Sequence, residues 1–153
     1  MGLSGRIRRL LRIGSRRRLR IWLLAITLAV VALKAVIIPY PWPSAPPEEC
    51  TYPPIEGAKC GFIFDEAHYV PAARRMLRGE AVNNEHPPFS KFIMILGILL
   101  FGDNPYGWRT LVSLCGAASV YLLGLLAYEL TGSYRASILA AVLFGFDITS
   151  FNI

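Results

Sequence analysis

Residues 21–38 form an unbroken apolar run in which the only charge is Lys34. A run of 18 residues with that composition has few fates, since roughly 20 apolar residues cross a ~30 Å hydrocarbon core and about 17 is the lower limit. Lys34 stands one turn from the far end, where its stem can snorkel to the interface. Directly before the run, residues 1–20 carry eight arginines and no acidic side chain. A basic tail of this kind can bind nucleic acid. With an apolar run immediately behind it, the tail is instead the positive-inside flank of a membrane span, and no nucleic-acid partner is expected. A cleaved signal peptide is the rival reading. The basic lead is long for one, the apolar run exceeds the usual signal core, and no clear Ala-x-Ala site follows. The expectation is an uncleaved anchor with a cytoplasmic N-terminus.

Further apolar runs account for the 54% hydrophobic composition. Residues 110–130 contain one ionisable side chain, Glu129 near the end, and are expected to span. A turn over 131–135 holds Arg135, and residues 136–153 begin a third span in which the sequence stops. The run 88–101 is shorter. At ~1.5 Å per residue its 14 residues reach roughly 21 Å, too little to cross, so an interfacial or re-entrant helix is expected. With that helix on one side, 110–130 runs from outside to inside and Arg135 is cytoplasmic, as positive-inside flanking prefers. The fold class expected is all-α: a polytopic integral membrane protein with an outer loop over 39–109.

That loop concentrates the chemistry. Residues 39–54 include seven prolines and cannot be helical, so they run extended or polyproline-like. Tyr40, Trp42 and Tyr52 suit a membrane–water interface. Cys50 and Cys60, ten positions apart in a disulfide-permitting compartment, are either a bridge closing a short loop or two free thiols. They lack a CxxC spacing, so a metal site is not indicated, and Cys115 reads as a small buried residue. Asp65 can cap a helix over 65–78 whose apolar positions fall on one side. Pro71 either kinks that helix or marks its true first turn, and Gly79 ends it. A basic amphipathic helix would lie on the membrane surface, with Arg74, Arg75 and Arg78 meeting anionic headgroups. The second helix, 88–101, opens on Pro87-Pro88 and carries Lys91 one turn in. Asp147, in the third apolar run, is an ionisable group in a span and so a functional candidate.

Three motifs, Phe64-Asp65-Glu66-Ala67-His68-Tyr69, His86-Pro87-Pro88-Phe89-Ser90-Lys91 and Gly107-Trp108-Arg109, together resemble the N-terminal part of protein O-mannosyltransferases. These are polytopic enzymes of the C-type glycosyltransferase fold, and the bacterial and archaeal members are the most similar. The match in order and spacing runs from about residue 21 to the end. It implies a cytoplasmic N-terminus, one span, an outer loop bearing the Asp-Glu pair, and two juxtamembrane helices before the second span. Two departures stand out. Pro71 falls in what is usually an uninterrupted surface helix. Family members also continue for many more spans, so the chain looks like an N-terminal fragment, inactive alone, of a prokaryotic plasma-membrane enzyme.

The resemblance implies a reaction and roles. The donor would be a polyprenyl- or dolichyl-phosphate sugar such as dolichyl phosphate mannose, and the acceptor a Ser or Thr hydroxyl of a protein. Such a transfer needs a base for the acceptor proton, cations for the phosphate leaving group, and exclusion of water. Asp65 resembles the family's catalytic acid residue and is expected to be the base, with partial burial raising its proton affinity. Glu66 would orient the acceptor or hold a divalent cation; no other metal site is indicated. His86, Lys91 and Arg109 would contact the donor phosphate or brace the loop. Read without the resemblance, Asp65 is a helix cap, Glu66 a favourable first-turn acid, and the basic residues interface anchors. Two other functions compete: transfer to a lipid acceptor, as in aminoarabinose transferases, and a small non-enzymatic membrane protein whose loop binds a partner.

Overall fold

The computed structural model describes residues 15–82 and 88–147. Helix is the only regular secondary structure among them: α1 (Arg16–Ile37), α2 (Glu66–Leu77), α3 (Pro88–Phe101), α4 (Pro105–Thr131) and α5 (Tyr134–Gly145). Helix α1 starts five residues before the apolar run because Arg16, Arg17, Arg18 and Arg20 are good helix formers with no breaker among them. It ends just short of Pro39, which disfavours helical backbone in the residue before it. Helix α4 likewise opens before its apolar stretch. Pro105 takes the first helical position, where no amide donor is missed, and Asn104 Oδ1 accepts from the Tyr106 amide at 2.9 Å.

Helices α1 and α4 are long and apolar enough to cross a membrane, with mean hydropathies of 2.1 and 1.9. Only 17% and 22% of their apolar windows are buried within the protein. Ile21, Leu24 and Leu28 on α1, and Leu122, Leu126 and Leu130 on α4, are each more than half exposed. A soluble core helix would hide such residues; a lipid solvent accepts them. Helix α5 has 12 residues, and the last part of the span expected over 136–153, residues 148–153, lies outside the described residues. Asp147 lies exposed just past the end of α5 rather than inside a helix.

The chain forms two compact units that share α1 and α4. In the first, residues 16–30 of α1 run antiparallel to the later part of α4, with α5 alongside. Arg16 lies 3.8 Å from Glu129, and Leu23 packs against Gly124. Leu19, Leu23, Val120 and Ala141 form its buried core. Ser137 Oγ donates to the Gly124 carbonyl at 2.5 Å, which satisfies a buried hydroxyl inside an apolar bundle. Ser133 starts α5 by accepting from the Ala136 amide.

The second unit contains the end of α1, the loop that follows, α2, α3 and the start of α4. Helix α2 packs on α3 around Val70, Ala73, Met94, Ile98 and Trp108. Helices α3 and α4 meet backbone to backbone: a Cβ on Gly97 would strike the Gly107 carbonyl, and one on Gly107 the Gly102 carbonyl. Helix α3 buries Lys91, Met94 and Ile98 toward this core and leaves Phe89, Phe92, Leu96 and Leu99 exposed on the other side. Lys34, expected to reach the interface, is instead buried in this unit.

Candidate active site

The loop between α1 and α2 is fixed by covalent and polar ties rather than by regular structure. Cys50 and Cys60 are joined by a disulfide, and both are buried. Beyond it the chain makes a tight entry into α2. Gly61 has φ +66, with the Pro41 carbonyl and Pro43 nitrogen only 2.8 Å from where a Cβ would sit, so no larger residue fits. Phe64 follows at φ +46, the only non-glycine with positive φ among the described residues, and is 71% exposed. The turn closes when the Glu66 amide donates to the Ile63 carbonyl at 3.0 Å and Glu66 Oε2 accepts from the Ile63 amide at 2.9 Å.

Glu66 points inward and meets Arg109 from the first turns of α4. Arg109 Nε donates to Oε1 at 2.6 Å and Nη2 to Oε2 at 2.7 Å. The remaining donors of the guanidinium go to the carbonyls of Ile38 and Tyr40, at 2.8 and 3.0 Å, and of Gly61, at 2.7 Å. An Arg side chain has five N–H groups, and all five are used here. This is the geometry in which a buried charge is tolerated, with a bidentate partner and every donor satisfied. Both carboxylate oxygens of Glu66 likewise accept from N–H donors, Oε1 from Arg109 and Oε2 from Arg109 and the Ile63 amide. Among the described residues there is no group of three or more metal-ligating side chains.

Asp65 is placed differently. It occupies the cap position of α2, but its own backbone is helical (φ −69, ψ −5) and its side chain makes no cap bond. Among the described residues its carboxylate has no hydrogen bond or ion pair, and it is exposed rather than half-buried as expected. The helical turn of about 100° per residue sends one acid into the core and its neighbour to the surface.

A second arginine, on α2, makes a parallel knot. Arg74 pairs with Asp103 through Nε at 2.7 Å and Nη2 at 3.1 Å, and donates through Nη1 to the carbonyls of Cys50 at 3.1 Å and Pro47 at 3.4 Å. Asp103 Oδ1 also accepts from Trp108 Nε1 at 2.7 Å, and the guanidinium lies 5.4 Å from the Trp108 ring centre. Arg74 is therefore not a headgroup contact. Its spacing of four from Val70, on the inward stripe of α2, was the available signal. Arg75 and Arg78 share one carboxylate, Glu80, at 3.2 and 2.5 Å. The hydrogen bond from Arg78 holds the Glu80 carboxyl below the usual carboxylate range.

Alongside α2 is a cavity of about 780 Å³, bordered by Tyr52, His68, Ala72, Arg75, Arg78 and the buried Lys91 among others. The Tyr52 ring packs on His68 at 4.2 Å between centroids. Asp65, His68, Ala72 and Arg75 share one face of the helix, at offsets of three, seven and ten. The structure thus brings Asp65, Glu66, Arg109, Lys91 and both cysteines into one unit. His86 lies outside the described residues.

No protein-family model matches the chain, and no solved structure matches it. Curated relatives do. The chain is 34% identical over 94 residues, 53% of its length, to a polyprenol-phosphate-mannose–protein mannosyltransferase of Corynebacterium glutamicum. It is 34% identical over 96 residues, 58% of its length, to the protein of that name in Mycolicibacterium smegmatis. For the one in Mycobacterium tuberculosis the figure is 33%, again over 96 residues and 58% of the chain. The matched stretches cover 18%, 19% and 18% of those relatives, so the chain spans about a fifth of their length.

Proposed function

We propose that this chain carries the acidic catalytic loop of a membrane glycosyltransferase that moves mannose from a polyprenyl-phosphate carrier to Ser or Thr hydroxyls of proteins. It would be the N-terminal portion of such an enzyme, with α1 and α4 as its first two spans and the loop on the outer face. The names of the curated relatives support the donor and the acceptor. The arginines at the start of α1 and Arg135 in the first turn of α5 lie at the same end of the first unit, which supports a cytoplasmic N-terminus.

The observation that carries the reading is the division of labour between adjacent acids. Glu66 is locked to Arg109, and the carboxylate of Asp65 next to it is exposed and, among the described residues, makes no hydrogen bond or ion pair. A base must reach the proton it removes, and Asp65 alone of the pair can. As the acceptor hydroxyl attacks the anomeric carbon, Asp65 takes its proton. The bond from that carbon to the phosphate oxygen breaks, and the carrier phosphate leaves with the electron pair. Glu66 and Arg109 position Asp65 and do not touch the reacting atoms.

The test is transfer from polyprenyl-phosphate mannose to a Ser/Thr peptide by membranes expressing the complete gene, with and without Asp65→Asn. Near-normal transfer by the variant would remove Asp65 from the role of base. Transfer to a lipid and none to peptide would select the aminoarabinose-transferase-like reading.

A further inference from the structure

We infer that the cavity beside α2 is a subsite for the acceptor polypeptide, and that Arg75 and Arg78 make it select an acidic side chain about four to five residues from the modified hydroxyl. The inference rests on the proposed function, since it takes Asp65 as the point where the hydroxyl is held.

The position of the cavity is the first argument. Its wall includes His68, Ala72 and Arg75, which lie on the same face of α2 as Asp65, one turn and more beyond it; Asp65 itself stands outside the lining. Ten helical residues at ~1.5 Å each cover roughly 15 Å. An extended peptide advances about 3.3 Å per residue, so the same distance is four to five residues of acceptor.

Charge is the second argument. Arg74, Arg75, Arg78 and Lys91 border the cavity along with Glu48 and Asp103. Arg74 is committed to Asp103, and Lys91 is buried. At the far end, among the described residues, Arg75 and Arg78 have one carboxylate between them, Glu80, and all three side chains are 43–60% exposed. One surplus positive charge therefore lies within reach of an incoming carboxylate. The lining is also mixed. Glu48 would repel a doubly charged phosphate monoester more than it would a peptide, whose backbone offers both donors and acceptors. The Tyr52–His68 pair adds an aromatic surface near the Asp65 end. Together these favour a polypeptide over the carrier lipid.

The experiment measures binding of fluorescent Ser/Thr peptides to the full-length protein in nanodiscs of neutral lipid. Peptides carry Asp, Ala or Lys four or five positions to either side of the hydroxyl residue. An exposed ion pair is worth a few-fold in affinity. The Asp peptide on one side should bind about threefold more tightly than the Ala peptide. The preference should vanish in Arg78→Gln and turn toward Lys in the Arg75→Glu/Arg78→Glu double variant. Equal affinities for the three peptides would overturn the inference, as would displacement of peptide by polyprenyl phosphate with no charge dependence. Loss of transfer in Asp65→Asn with no charge preference would leave the proposed function standing and this inference refuted. Charge-dependent binding with normal transfer in Asp65→Asn would refute Asp65 as the base, and with it the four-to-five-residue spacing, while leaving the charge selectivity of the cavity.

Discussion

Arg109 and Glu66 lie 43 positions apart in the chain and meet through two hydrogen bonds of 2.6 and 2.7 Å, with side chains 5% and 4% exposed. Removing one partner of such a buried pair typically costs about 3–5 kcal/mol, because the other charge is left stranded. Arg109→Lys keeps the charge but cannot reproduce a planar fork that serves Glu66 and three carbonyls at once. The expected outcome is a melting temperature well below wild type for both Arg109→Lys and Glu66→Gln, read in detergent or nanodiscs. Wild-type melting in either would contradict the knot.

Asp65→Asn should behave in the opposite way. The side chain is exposed and caps nothing, so stability should stay within about 0.5 kcal/mol. Transfer should fall by about 10²-fold or more, the scale of a positioned general base. The contrast between the two acids is the sharper measurement. If Asp65→Asn unfolds as readily as Glu66→Gln, the assignment of base and brace is wrong.

The contact between α3 and α4 leaves no space for a methyl group at Gly97 or Gly107, since backbone atoms fill it. Gly97→Ala and Gly107→Ala should each destabilise by about 1–3 kcal/mol, the usual cost of overpacking. Because Gly107 sits two residues before Arg109, its variant should also weaken the knot. Unchanged melting of Gly107→Ala would show that the helices can separate there freely.

The disulfide closes a short loop, for which chain-entropy reasoning gives about 3 kcal/mol. The Cys50→Ser/Cys60→Ser double variant should lose stability on that scale. Thiol labelling of denatured, unreduced wild type should find Cys115 alone, and after reduction all three cysteines. Three labelled thiols before reduction would refute the bridge.

Acid should release the end of α2. The Glu80 carboxyl is held below its ordinary range, chiefly by the Arg78 hydrogen bond, so its contribution is present above the unfolded-state value. It is lost as pH falls through the lowered, folded-state value. Exchange of the Gly79 and Glu80 amides, which donate to Met76 and Arg75, should stay slow at neutral pH and quicken only below the usual carboxylate range. Added salt should weaken the effect, because these groups are exposed. Exchange that is already fast at pH 7 would show that the pair does not hold this turn.

The sequence spelled out some of this plainly. Helix α3 ends at Phe101 because Gly102, at φ +85, follows it, and that glycine could be read from the sequence. The start of α1 was obscured because its arginines read as a flank when they are also helix formers. Asp65 and Glu66 were legible as a pair, but their separation was not. It depends on Arg109, brought in from a distant helix, and local spacing carries no trace of such a partner. The Arg74–Asp103 pair was missed for the same reason, with 29 positions between its members.

Arg109 and Arg74 grip the loop between α1 and α2 through five carbonyls, those of Ile38, Tyr40, Gly61, Pro47 and Cys50. Every amino acid supplies that group, so the hold is indifferent to most side chains along the loop. Outside the cysteines and Gly61, the loop could be rewritten to suit a different acceptor while Asp65 keeps its place. The clamp frees the surface around the site to evolve without retuning the chemistry.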